Sequence, residues 1–71
     1  MKITTTKGEH AGTIEECSAW QAEMQGAFAE IETDDGLSVD VRDIDFDLDE
    51  MDRTIADVKG AIWRAREESS S

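Results

Sequence analysis

An alternating run of aspartates and large apolar residues is the feature of this sequence that comes nearest to chemistry. From position 43 to 50 the chain reads Asp-Ile-Asp-Phe-Asp-Leu-Asp-Glu, so carboxylates recur at every second residue. In an extended strand, alternate side chains point to the same face and lie about 6.6 Å apart. The run therefore predicts a row of carboxylates on one side of the chain, anchored by apolar side chains on the other.

Carboxylates at alternate positions also begin the calcium-binding loop of an EF-hand. Counted from Asp43, that loop needs a glycine at its sixth position and a glutamate at its twelfth. The sequence has Leu48 and Thr54 there, so the pattern fails at both diagnostic positions. It also lacks the glycine-rich loops that bind phosphates. We expect no metal site and no cofactor.

Cys17 and His10 are the one pair of residues that could form a nucleophilic dyad, because each is the single residue of its type. No third residue that would orient the histidine is indicated, and the spacing places Cys17 on the core side of a helix. We therefore predict that the protein is not an enzyme and has no catalytic residue. A single cysteine also excludes an internal disulfide and the zinc sites that need several thiolates.

The charge balance is strongly acidic, with eighteen acidic residues against seven basic ones and a net charge of -11 over 71 residues. Such a field repels nucleic acids and anionic membranes, and it favours a basic protein surface. No apolar run reaches the length of a membrane span or of a signal peptide. We expect a cytoplasmic protein that contacts neither membrane nor nucleic acid directly. Acidity with few lysines also fits the cytoplasm of a halophile.

The first half of the chain shows one strand signal and one helix signal. Residues 2–6 are rich in β-branched side chains and predict a strand, followed by a polar loop. Thr13 and Glu16 form a capping box for a helix at 14–25, with Gly26 as the left-handed residue at its end. The core-facing stripe of this helix is predicted to contain Ile14, Cys17, Trp20 and Met24.

A hairpin is predicted next, because strand-like residues 27–33 and 37–41 flank the turn sequence Asp-Asp-Gly. The register that pairs Ile31 with Val39 brings the apolar residues of both strands to one face. On the other face it sets Glu30 opposite Asp40, a like-charge pair that costs some tenths of a kcal/mol up to about 1. A fold selected for stability alone would not favour that pair.

Apolar positions change from odd to even numbers after the hairpin, which predicts a bulge or a strand end near Arg42 or Asp43. Asp47 and Glu50 then give a second capping signal, for a helix at 48–67. Apolar residues recur in this helix at spacings of three and four. They are Leu48, Met51, Ile55, Val58, Ile62 and Ala65.

Together these elements predict a small two-layer α+β domain at residues 1–68, with the order β-α-β-β-α and a disordered tail at 69–71. An antiparallel hairpin sheet would form one layer, and both helices would pack on one face of it. The opposite face would be left to water and should be acidic. A domain of this size is too small for a deep active-site cleft.

The acidic face is interpreted as a binding site for a basic protein surface, with a nucleic-acid-binding complex as the partner. Carboxylates at strand spacing would imitate the phosphates that such a partner binds. An alternative is that the charges only protect a strand edge from aggregation. The predicted partner-binding residues are Glu30, Glu32, Asp40, Asp43, Asp45 and Asp47.

A second surface is predicted on the last helix, where Ala56, Gly60 and Trp63 share a flank beside the apolar seam. Glycine inside a helix costs about 1 kcal/mol relative to alanine, so we expect another group to pack closely against Gly60. Trp20 of the first helix is the simpler candidate for that group. The alternative is a homodimer seam, which would also relieve the shortage of core in a short chain.

In size, acidity and lack of catalytic motifs, the chain is similar to small phage-encoded inhibitors, including anti-CRISPR and anti-restriction proteins. The resemblance is one of composition. It implies inhibition or regulation of a basic, nucleic-acid-binding partner by electrostatic and steric blockade, in the host cytoplasm if the chain is phage-encoded. The alternative functions are a regulatory homodimer built on the last helix and a halophile housekeeping domain.

Overall fold

A computed structural model describes residues 1–25, 29–42 and 44–70. Within these residues the predicted small α+β domain is confirmed. It has two helices and an antiparallel sheet of four strands, one more than the predicted order β-α-β-β-α contains. Neither of these helices is apolar over a length that could cross a bilayer. In chain order the elements are β1 (Lys2–Thr5), β2 (Gly8–Ala11), α1 (Ile14–Met24), β3 (Ala29–Glu32), β4 (Ser38–Asp40), a 3-10 helix (Leu48–Glu50) and α2 (Met51–Ser70).

β2 occupies the residues that were expected to form a polar loop, so that expectation is wrong. Thr5 pairs with Gly8, which leaves a turn of two residues between β1 and β2. Gly8 has φ +136°, and Thr5 Oγ1 accepts a hydrogen bond from the Lys7 N–H at 3.0 Å. The sequence of β2, Gly-Glu-His-Ala, lacks the β-branched residues typical of strands. Its strand conformation is stabilised by pairing with β1.

The sheet has the order β2-β1-β3-β4 with antiparallel neighbours throughout. The hairpin register predicted from the sequence is confirmed, because Ile31 pairs with Val39 and Glu30 pairs with Asp40. Gly36 has φ +88° in the turn, which is the left-handed position expected for it. β3 is an interior strand, so Glu30 lies near the middle of the sheet.

α1 begins as predicted, with Thr13 as the N-cap. Its Oγ1 accepts a hydrogen bond from the Glu16 N–H at 3.2 Å, and its hydroxyl donates to the Glu16 carboxylate at 3.3 Å. At the other end Gln25 takes the left-handed conformation, with φ 50°. Its N–H donates to the carbonyl four residues earlier at 2.9 Å. Gly26, the predicted cap, lies outside the described residues.

The buried face of α1 differs from the predicted stripe. Cys17 is fully buried, but Ile14, Trp20 and Met24 are only half-buried. The prediction counted apolar residues alone, and the helix turns small and polar side chains inward instead. The residues that α1 buries are Cys17, Ser18, Gln21 and Ala22.

The chain leaves the sheet after β4, so the strand end predicted near Arg42 is confirmed. The described part of the aspartate run does not form the strand that its alternation predicted. Residues 44–47 have no regular secondary structure. The period of two is nevertheless kept, because Ile44 and Phe46 pack half-buried against the core. Asp45 and Asp47 alternate with them and are exposed. The apolar anchoring of the run is therefore confirmed for Ile44 and Phe46 but not for Leu48, which is exposed, and the predicted strand conformation is wrong.

Thr54 of α2 holds this segment against the helix layer. Its hydroxyl donates to the Asp45 carbonyl at 3.0 Å and accepts from the Asp47 N–H at 3.5 Å, and the residue is only 2% exposed. Asp47 Oδ1 in turn accepts a hydrogen bond from the Asp49 N–H at 2.9 Å. Asp47 is thus the N-cap of the 3-10 helix that continues into α2, as its position in the sequence predicted.

α2 packs on the same face of the sheet as α1, and Val58 enters the core as predicted. Ile62 and Ala65 are half-buried beside it. Leu48 was expected to start this seam but is 55% exposed, because it belongs to the 3-10 turn and falls out of phase with α2. α2 continues to Ser70, three residues beyond the predicted end. The buried core contains Ile3, Cys17, Ala29, Ile31, Val39, Val41 and Val58.

The last part of α2 is tied to the turn between β3 and β4 by an ion pair. Arg66 Nη2 lies 3.1 Å from Asp35 Oδ2. A hydrogen bond from the Thr33 hydroxyl, together with the charge of Arg66, lowers the pKa of the Asp35 carboxyl. The contact joins the turn to the helix at the surface, where an exposed ion pair adds little to stability.

Candidate functional site

The face of the sheet that points away from the helices is fully open to solvent. Strand pairing arranges its side chains in two rows that cross the sheet. Each of the eight residues in these rows is exposed, and we call them the acidic sheet face. The first row contains Glu9, Thr4, Glu30 and Asp40, and the second contains Ala11, Lys2, Glu32 and Ser38.

The acidic sheet face carries four carboxylates and one ammonium group. Lys2 Nζ lies 3.3 Å from Glu9 Oε2, so the cation is paired toward the β2 edge. Glu30 and Asp40 stand directly opposite each other, where side chains of neighbouring strands are about 4.5–5.5 Å apart. Among the described residues no ion pair reaches Glu30, Glu32 or Asp40. Lys2 stands opposite Glu32 on the same face, so the face as a whole carries a net charge of -3 that is concentrated toward β3 and β4.

The six predicted partner-binding carboxylates are divided between two surfaces. Glu30, Glu32 and Asp40 lie together on the acidic sheet face. Asp45 and Asp47 are exposed elsewhere, on the segment that Thr54 fixes to the helix layer. Asp43 lies outside the described residues.

Glu9 belongs to the acidic sheet face but was missed by sequence reasoning, because its strand was read as a loop. Its sequence, Gly-Glu-His-Ala, carries no strand signal that could have identified it. In the structure, the register that sets His10 beside Ile3 also sets Glu9 beside Thr4. The row then extends across three neighbouring strands before it reaches Asp40.

Asp45 and Asp47 line a polar cleft that is separate from the acidic sheet face. Its other charged residues are Glu50, Arg53 and Asp57. Its one basic side chain is largely exposed, and Nη1 of Arg53 lies 3.9 Å from Glu50 Oε2. Within the described residues, no group of three or more acidic, histidine or cysteine side chains is arranged to hold a metal ion. The cleft is thus a second acidic surface on the helix side of the molecule.

Cys17 and His10 do not form a dyad. Cys17 Sγ lies 3.8 Å from each of two backbone carbonyl oxygens, those of Met1 and His10. The residue is fully buried, and this burial raises the pKa of the Cys17 thiol. The His10 ring instead stacks on Trp20, with ring centroids 5.7 Å apart. A protonated thiol without access to solvent is a poor nucleophile.

Ala56, Gly60 and Trp63, which we call the α2 flank, lie on the solvent side of α2. Trp63 is 62% exposed, and a Cβ built on Gly60 would meet no described atom within 4 Å. The expectation that Trp20 packs against Gly60 is wrong, because Trp20 stacks on His10. The α2 flank is an exposed surface and not a helix contact.

No protein-family model matches the chain, and no curated protein or solved structure is significantly similar to it.

Proposed function

We propose that this chain is a small acidic protein-binding module that inhibits or regulates a basic partner by electrostatic and steric blockade. The observation that carries the proposal is the pair of Glu30 and Asp40, which stand directly opposite each other at the β4 side of the acidic sheet face, with neither carboxylate in an ion pair among the described residues. Like charges placed directly opposite on neighbouring strands destabilise the sheet. A ligand that supplies positive charge would relieve that repulsion on binding.

The partner that suits this face best is a protein that binds nucleic acid. Carboxylates on the face are spaced about 4.8 Å across strands and about 6.6 Å along them. The second distance is of the same order as the spacing of neighbouring phosphates along a nucleic-acid strand. A groove lined with Lys and Arg for phosphates would accept these carboxylates, and the bound chain would exclude the nucleic acid. Anti-CRISPR and anti-restriction inhibitors, acting in the host cytoplasm, are the class that we propose.

The paired strands hold the acidic sheet face in a fixed arrangement, so it is the primary contact in this proposal, with Glu30 on the interior strand β3 and Asp40 on the edge strand β4. Asp45 and Asp47 stay predicted contacts on a second surface. Long-range attraction between the acidic chain and a basic groove should accelerate association, and the association rate should fall with ionic strength.

Capture of a partner from the source cell by the immobilised chain, at low and at high ionic strength, tests the proposal. The double variant Glu30→Arg with Asp40→Arg reverses the charge at the β4 side of the face, and its affinity for the purified partner should fall by roughly 100-fold or more. Nucleic acid that binds the partner should compete with the chain. Circular dichroism checks that each variant is folded.

The matched control is Asp52→Arg with Glu23→Arg, which changes the net charge equally at exposed positions on the helices, away from the predicted contacts. It should weaken binding much less. If the two double variants lose affinity equally, net charge governs binding and the assignment of the sheet face is wrong. Failure to capture a basic protein at either ionic strength would contradict the proposal as a whole.

Replacing Glu30 by threonine should make the protein more stable while it weakens binding. Threonine removes the repulsion with Asp40 and suits a strand better, so the free energy of unfolding should rise by some tenths of a kcal/mol up to about 1. Urea unfolding measures the change. Glu9→Thr is the control and should bring less stabilisation, because Glu9 is paired with Lys2. A lower free energy of unfolding in Glu30→Thr would contradict the claim that repulsion between Glu30 and Asp40 destabilises the sheet.

A further inference from the structure

The α2 flank is an apolar ridge on the side of the helix opposite the core. With 3.6 residues per turn, Ala56, Gly60 and Trp63 stack on this side while Val58 points inward. An indole can bury about 150–250 Å² of surface, yet Trp63 is 62% exposed. Open space beside Gly60 leaves room for another helix to approach.

We propose that the α2 flank is the seam of a homodimer, in which the α2 helices of two copies pack antiparallel around a twofold axis at Gly60. Glycine and alanine project little from a helix, so the two axes can approach to about 8 Å. The twofold axis makes the contact self-complementary and closed. Trp63 of each copy then packs over the partner's Ala56 on either side of the axis.

The charges beside the flank favour a second copy in this orientation. The twofold axis at Gly60 relates positions on the two antiparallel helices. A residue n positions before Gly60 on one copy faces the residue n positions after Gly60 on the other copy. Arg53 then faces the partner's Glu67, and Asp57 lies within one position of the partner's Arg64. Symmetry provides each pair twice. All four residues are exposed, so they are available at the seam.

Two electrostatic terms oppose the dimer. The first is repulsion between Lys59 and the partner's Lys59, which approach each other near the axis. This repulsion is reduced because Lys59 Nζ lies 3.9 Å from Glu15 Oε1 of its own chain. The net charge of -11 on each copy also repels, and salt screens this long-range term. A parallel helix pair would set every charge beside its own equivalent and align the two helix dipoles. The antiparallel arrangement is therefore the favoured one.

Sedimentation equilibrium of the whole chain over a concentration series tests the dimer. Asp57→Arg alone and Arg64→Asp alone each place like charges across the seam, and each should weaken self-association by roughly tenfold or more. The double variant with both substitutions restores opposite charges and should associate again. This recovery distinguishes direct pairing across the seam from a general effect of charge.

Trp63→Ala should also give a monomer, whereas Glu23→Ala on the exposed side of α1 should not. A wild-type chain that is monomeric at every concentration overturns the proposal. A dimer that survives both single charge reversals overturns it as well, and so does a double variant that fails to recover. Self-association is measured on the purified chain without a partner, so the result is independent of the capture of a basic protein.

Discussion

Replacing Ile31 by alanine should lower the free energy of unfolding by about 2–5 kcal/mol. Ile31 is fully buried in the interior strand β3, where it pairs with Ile3 on one side and Val39 on the other. Removal of its side chain leaves a cavity that neither neighbouring strand can fill without distorting the sheet. Proteins have only about 0.05–0.15 kcal/mol of stability per residue, so this loss would unfold a large share of the molecules.

Denaturant unfolding followed by circular dichroism measures this loss. Ile55→Ala is the matched control, because it removes the same atoms from a half-buried position of α2. There the cost should stay near or below about 1 kcal/mol, since alanine is also the better helix former. Equal losses at the two positions would contradict the packing of the core around Ile31.

Replacing Thr54 by valine should cost about 1–3 kcal/mol, although the side chain keeps its shape. The hydroxyl of Thr54 bonds to the Asp45 carbonyl and to the Asp47 N–H from a buried position. Valine offers neither a donor nor an acceptor, so backbone groups of the segment lose their partner in the helix layer. We expect the segment to detach more often, with faster proteolysis and faster amide exchange at Asp47.

Thr4→Val makes the same atomic change on the exposed sheet face and should leave stability unchanged or slightly raised. Thr54→Ser retains the hydroxyl and should recover part of the loss at Thr54. If Thr54→Val unfolded at the wild-type denaturant concentration and exchanged at the wild-type rate, the hydroxyl would not anchor the segment.

The parts of the fold that the sequence predicted well depend on local signals. The cap at Thr13 is contained within four residues of sequence, and the turn Asp-Asp-Gly joins strands whose alternation permits one register with a common apolar face. That register placed Glu30 opposite Asp40 correctly. Three members of the acidic sheet face were therefore predicted together, as Glu30, Glu32 and Asp40.

The parts that were missed depend on contacts between distant segments. β2 lacks strand propensity and is stabilised by β1, so Glu9 was not recognised as part of the face. Gln21 is buried because it lies on the face of α1 that packs against the rest of the domain. The hydropathy of the sequence does not indicate that face. The aspartate run leaves the sheet because Asp45 is held by Thr54, whose hydroxyl donates to the Asp45 carbonyl from nine positions further along the chain. Asp45 is therefore on a different surface from Glu30. Periodicity alone could not distinguish that path from a continued strand.

The two indoles of the chain occupy different surroundings and provide separate spectroscopic signals without a label. Trp20 is half-buried and stacked on His10, so its emission should respond to unfolding. Trp63 is exposed and should emit at longer wavelength until another surface covers it. Two single-tryptophan variants would therefore report separately, one on folding through Trp20 and the other on association through Trp63.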